Sequence, residues 1–103
     1  MSEDTKIILT RYLYNKIEVK QCLFLSLLDH NIDEALFWGY ELYYSGFEED
    51  AFQFLINIVE TIYLESCSFI AEYTNFIVDN WNKDNSPIWF GNFIATLCTK
   101  QYN

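Results

Sequence analysis

Turn-forming residues are scarce in this chain: its 103 residues include one proline and three glycines. A fold of many short strands needs a turn signal every few residues, so the scarcity points to a few long helices. Histidine is scarcer still. His30 is the only one, which excludes a Ser-His-Asp or Cys-His arrangement built on any second histidine. The cysteines, Cys22, Cys67 and Cys98, are odd in number and far apart. That argues against a disulfide framework and for small core hydrophobes in a reducing compartment. No run approaches the ~18 apolar residues of a membrane span, and the N-terminus lacks the basic and apolar regions of a signal peptide. Neither Gly39 nor Gly46 belongs to a glycine-rich run that could cradle phosphate.

Positive charge is missing from the middle. Between Gln21 and Asn82 there is no Lys or Arg, whereas eleven acids fall there, in a chain of formal net charge −9. Direct nucleic-acid binding needs a basic footprint, and an anionic membrane surface would repel this one. The positive inference is a basic protein partner, set against the plainer one that acidity keeps an aromatic-rich domain soluble.

What the chain has in abundance is apolar surface: 51% hydrophobic and 19% aromatic residues. Disorder is excluded on that composition, and the length suits one domain over residues 1–103. Ser2-Glu3-Asp4 ahead of Ile7, Ile8, Tyr12 and Leu13 predicts a first short helix that frays near Asn15. Asn15 with Glu18 three residues on reads as a capping box for a second helix, with Ile17, Cys22, Leu25 and Leu28 facing a core. Leu23, Phe24 and Leu27 broaden that apolar arc. The helix ends at His30-Asn31, on the argument that Asn tolerates the left-handed conformation. Asn31 also precedes Glu34 by three, so it caps a third helix, Ile32 to Ser45, stopped by Gly46.

Phe47 opens a fourth helix with Glu48, Glu49 and Asp50 at its positive end. Ala51, Phe54, Leu55, Ile58, Val59 and Ile62 keep helical spacing to about Leu64. A weak break at 65–68 precedes a fifth helix, Phe69 to Trp81, with Phe69, Ile70, Tyr73, Phe76, Ile77 and Asn80 in register. One kinked helix from Glu48 to Trp81 fits the pattern as well. After the polar loop 82–85, Ser86-Pro87 restarts the chain as N-cap and first helical residue. The last helix, Pro87 to about Thr99, has no charged residue before Lys100, so it is expected to be buried on several sides or to cover a partner. The fold class is therefore all-α: an irregular bundle or stack of αα-hairpins of five or six helices. Trp38, Gly39 and Tyr43 superficially echo the tetratricopeptide signature, but their spacing does not match it.

No constellation states a reaction. Asp29, His30, Asp33 and Glu34 fit no zinc spacing, and Glu48-Glu49-Asp50 lacks the alternation and glycine of a calcium loop. No metal or cofactor is expected. On the third helix Ala35, Gly39 and Leu42 form a small-residue stripe. It suits close approach of another helix, expected to be the second or fourth, because glycine inside a helix costs ~1 kcal/mol. Phe37, Trp38, Tyr40 and Tyr44 then surround the rest of that helix, more aromatics than one core absorbs. With Phe47, Trp81, Trp89 and the acids Glu48, Glu49 and Asp50, they are the candidate interaction residues, Trp and Tyr being enriched at interface hot spots.

The run Ile32-Asp33-Glu34-Ala35-Leu36-Phe37-Trp38-Gly39-Tyr40-Glu41-Leu42-Tyr43-Tyr44-Ser45-Gly46-Phe47-Glu48-Glu49 resembles a signature in small uncharacterised proteins of giant nucleocytoplasmic DNA viruses, the mimivirus-like group. The likeness covers roughly residues 20–65, and richness in Asn, Ile, Tyr and Phe agrees with an A/T-rich genome. It implies a viral helical protein acting in the infected host cell cytoplasm or in the virion, and it transfers no catalytic residue. A weaker likeness is to the helical collar following AAA+ ATPase domains, where an Ala-Leu-aromatic-Trp helix also ends in Gly. At most it implies an oligomerising role.

The functional expectation is a non-enzymatic interaction module that holds a protein partner, basic or a second copy, with no direct nucleic-acid or membrane contact. Two other readings stand beside it. One is an acidic decoy that imitates nucleic acid, and the other a small enzyme using His30, alone or with Cys22.

Overall fold

Helix starts are set by local hydrogen-bond chemistry, and here they fall where the caps predict. The computed structural model describes residues 7–102. Among them are five α-helices: α1 Lys16–Leu28, α2 Ile32–Tyr43, α3 Glu48–Ile58, α4 Ile70–Asp84 and α5 Pro87–Cys98, with a π-helical segment Val59–Tyr63 continuing α3. The molecule is an all-α helical bundle. Asn15 accepts from the N–H groups of Ile17 and Glu18, Asn31 from that of Glu34, and Ser86 from that of Ile88. Each cap satisfies amides that the first turn leaves unpaired.

Where the chain leaves a helix, some details differ from expectation. His30, not Asn31, takes the left-handed conformation after α1 (φ 57°), because Asn31 is committed as the next N-cap. Gly46 is left-handed after α2 (φ 89°), and the Phe47 N–H reaches back to the Leu42 carbonyl. The polar stretch 82–84 stays helical, and Asn85 (φ 54°) makes the stop instead.

Two expectations fail. Ser2-Glu3-Asp4, the proposed helix start, lies outside the described residues. Of the rest of that first helix, Ile7–Asn15 forms a looped-back segment whose Leu9 and Asn15 pair in an isolated antiparallel bridge. Bonds from the Thr10 N–H to the Tyr14 carbonyl (2.8 Å) and from the Lys16 N–H to the Ile8 carbonyl (2.8 Å) compete with helix here. Second, α1 buries Val19, Leu23, Ser26 and Leu27, while Ile17 and Leu25 face solvent. An apolar pattern covering most of a helix does not say which side its neighbours will take.

The last helix is the hub, as its lack of charge suggested. α5 packs against α1, α2 and α4, and buries Phe90, Phe93, Ile94, Leu97 and Cys98. Gly39 is the reason α2 and α5 come so close. A Cβ there would run into Ile94 Cδ1 and come 3.1 Å from Phe90. The close neighbour is therefore the last helix, not the second or fourth of the expectation. On the other side of the contact Gly91 makes room for the Tyr40 hydroxyl, which donates to the Pro87 carbonyl at 2.9 Å.

The π-helical segment buries Val59 and Tyr63. Tyr63 is fully buried, and its hydroxyl donates to the Leu97 carbonyl at 3.2 Å. The chain does break at 65–68, so one unbroken helix from Glu48 to Trp81 does not form. In α3 it is Phe52, with Ala51, Leu55 and Ile58, that enters the core, and Phe54 stays at its margin. In α4 the buried stripe is Ile70, Thr74, Ile77 and Trp81, which leaves Phe69 and Phe76 exposed.

Candidate interaction surface

Glu41 organises the outer side of α2. It is the only acid in the body of that helix, yet it is 1% exposed. A buried carboxylate needs partners, and these come from the looped-back segment before α1. Arg11 Nε donates to Oε1 and the Tyr12 N–H to Oε2, each at 3.2 Å. One turn on, the Ser45 hydroxyl donates to the Glu41 carbonyl (2.6 Å) and accepts from the Arg11 N–H (2.9 Å). Together these bonds clamp the Thr10–Tyr14 loop onto α2.

The clamp sets an aromatic ridge. Tyr14 lies edge-on to Trp38 (ring centroids 5.2 Å apart) and to Phe37 (6.5 Å), and Phe37 meets Trp38 at 4.8 Å. Further along, the Arg11 guanidinium sits over the rings of Tyr12 (4.8 Å) and Tyr44 (5.3 Å). These rings are not core: Tyr14, Phe37 and Tyr44 are 41%, 51% and 50% exposed, and Tyr12 and Leu13 more so. Leu13 is moreover left-handed (φ 68°), an unfavourable state for a branched side chain.

Of the other residues singled out in the sequence, Tyr40 is half-buried against α5, where burial, then Tyr44, push its hydroxyl pKa up. Trp81 is buried, its Nε1–H donating to the Tyr43 hydroxyl at 2.7 Å. Phe47, Glu48, Glu49, Asp50 and Trp81 do come together, around a recess of about 460 Å³. Of its three acids, Asp50 is neutralised within the molecule. Lys16 and Lys20 both bond Asp50 (2.6 and 3.1 Å), and the Lys16 ammonium lies 4.0 Å above the Phe47 ring. Trp89 stands apart, its Nε1–H on the Asp84 carboxylate (3.1 Å) and its ring edge-on to Phe76.

No family model matches this chain, and no curated protein or solved structure does. Its surface is read from its own geometry.

The His30 Nδ1 lies 2.7 Å from the Cys98 carbonyl and its ring stacks on Tyr102; among the described residues no hydrogen bond joins it to Cys22. The Cys98 thiol is pushed up to about 11 by burial. Among the described residues no group of three or more His, Cys, Asp or Glu could hold a metal ion, and no helix is long and apolar enough to cross a membrane. Sequence reasoning missed Glu41, Arg11, Tyr12 and Tyr14. The available signal was an acid in the last turn of α2, where the helix dipole disfavours it, and the chain's only arginine.

Proposed function

We propose that this protein is a non-enzymatic protein–protein interaction module whose working surface is the aromatic ridge of α2 and the Thr10–Tyr14 loop. The observation that carries the reading is the ring cluster of exposed Tyr14 and Phe37 against half-buried Trp38, beside a loop bonded to the buried Glu41. Clustered Tyr, Trp and Arg are the side chains that dominate binding energy at interfaces. A loop already clamped loses little conformational freedom when a partner docks, which favours affinity. Strain at Leu13 fits the same reading, since backbone strain collects where function demands it.

The partner is a basic protein. Arg11, Lys16 and Lys20 are each paired to a carboxylate within the fold, and the chain carries 15 acids against 6 basic residues. The wording of Trp38 to Phe47 supports a viral origin and a place in the infected cytoplasm or the virion. Capture from infected-cell extract by the intact chain, beside Phe37→Ser and Tyr14→Ser, tests the proposal. A stoichiometric complex lost in both variants at unchanged circular dichroism is expected. A wild-type chain that sediments as a monomer and recovers no partner, or a complex indifferent to both substitutions, would sink it.

The anionic exterior also accommodates a decoy that imitates nucleic acid. Such binding would fall steeply with salt and ignore Phe37.

A further inference from the structure

Trp38 also faces a second feature. With Cys22, Leu25, Asp29 and Glu34 it lines a recess of about 200 Å³ between α1 and α2. Small-molecule sites run to about 300–1,000 Å³, so this one suits a single inserted side chain. Asp29 closes α1, and Glu34 lies four residues before Trp38 in α2, on the same stripe as the indole. Neither carboxylate has a cationic partner among the described residues. Leu25, more than half exposed, supplies an apolar lip.

We infer that this recess is the anchor point for an arginine side chain of the partner, an inference that rests on the interaction-module reading. A guanidinium stacks on an indole face, while its N–H groups reach carboxylates and its aliphatic stem lies along apolar surface. Two of these contacts already occur together on this ridge, where the Arg11 guanidinium covers Tyr12 and Tyr44 and bonds Glu41. A second copy of the chain is not the occupant. Its only arginine is Arg11, and that side chain is held by Glu41. The partner is therefore a different protein, presenting arginine beside apolar residues that cover Phe37 and Tyr14.

The test follows the Trp38 indole N–H resonance, one of three in the chain, identified through Trp38→Phe. The probes are a capped Leu-Arg-Leu-Arg-Leu peptide and its counterpart with citrulline, a neutral near-isostere, in place of arginine. A saturable Trp38 shift is expected with the arginine peptide, about fivefold weaker with citrulline and weakened comparably in Asp29→Asn/Glu34→Gln. The Trp81 and Trp89 resonances should stay put. Equal shifts with both peptides, or a shift untouched by the double substitution, would overturn arginine recognition. So would a silent Trp38 with either probe. The ridge reading fails separately, when Phe37→Ser and Tyr14→Ser leave capture from extract unchanged.

Discussion

A single buried carboxylate decides how much of this surface exists. Glu41 is shielded from water and keeps its charge company only through Arg11 and the Tyr12 amide. Removing one partner of a fully buried pair costs about 3–5 kcal/mol; Arg11 is 40% exposed at its side chain, which softens that. Arg11→Ala should therefore lower stability by about 2 kcal/mol, read from the denaturation midpoint at constant m-value. Glu41→Gln should cost less and should loosen the loop, seen as faster amide exchange at Tyr12. Gly39 makes the opposite demand, for absence of a side chain. Gly39→Ala gains ~1 kcal/mol of helix propensity but overpacks Ile94, a net loss of about 1 kcal/mol. Because the obstructing atom is Ile94 Cδ1, Ile94→Val should suppress that loss. A double-mutant cycle that came out additive would show that the contact does not limit the approach of α2 and α5.

At the scale of elements, three helix starts and the buried face of α5 were legible, and the buried face of α1 was not. Asn15, Asn31 and Ser86 each cap a helix as their spacing indicates, since a cap is chemistry between residues two or three apart. Asn15→Ala should cost about 1 kcal/mol, and more than an alanine at exposed Gln21, in thermal melts. The buried side of α1 was misjudged for a different reason. Its residues are apolar almost all round, so Val19, Leu23 and Leu27 face inward only because α2 and α5 lie there. The loop before α1 was misread because helix-compatible residues there serve a distant carboxylate, and the signal lies thirty residues away in sequence. The π-helical turn at Val59–Tyr63, with Tyr63 buried, has no counterpart in the plain helical spacing read there.

The chain carries a formal net charge of −9, and its stability should respond to pH at both ends. Asp50 has its carboxyl held below the ordinary 3.8, chiefly by the Lys16 hydrogen bond, with Lys20 assisting against burial. A depressed acid contributes stability above its unfolded value and loses it as pH falls through the folded one. Acid titration should thus show a loss below about pH 4 that Asp50→Asn flattens. Tyr63 is pushed by burial from 10.0 up to about 12. Its neutral form is the folded one, so its contribution is complete below pH 10.0 and falls between 10.0 and about 12. Tyrosinate absorbance should then retain one late component that appears only with unfolding and is missing in Tyr63→Phe. A Tyr63 that ionised before the circular dichroism signal fell would contradict its burial.

By itself, the sequence determined the all-α class, the caps that start the helices, the glycine stop after α2 and the uncharged hub of α5. Each follows from composition or from hydrogen bonds closed within one turn. Only the tertiary structure decided which aromatics remain outside. Tyr40 and Trp81 are taken up by α5 and by Tyr43 and Trp38 is half-buried, while Phe37 is left to Tyr14 and solvent. That choice depends on the loop pinned by Glu41, because burial belongs to the neighbours of a helix and not to the helix alone.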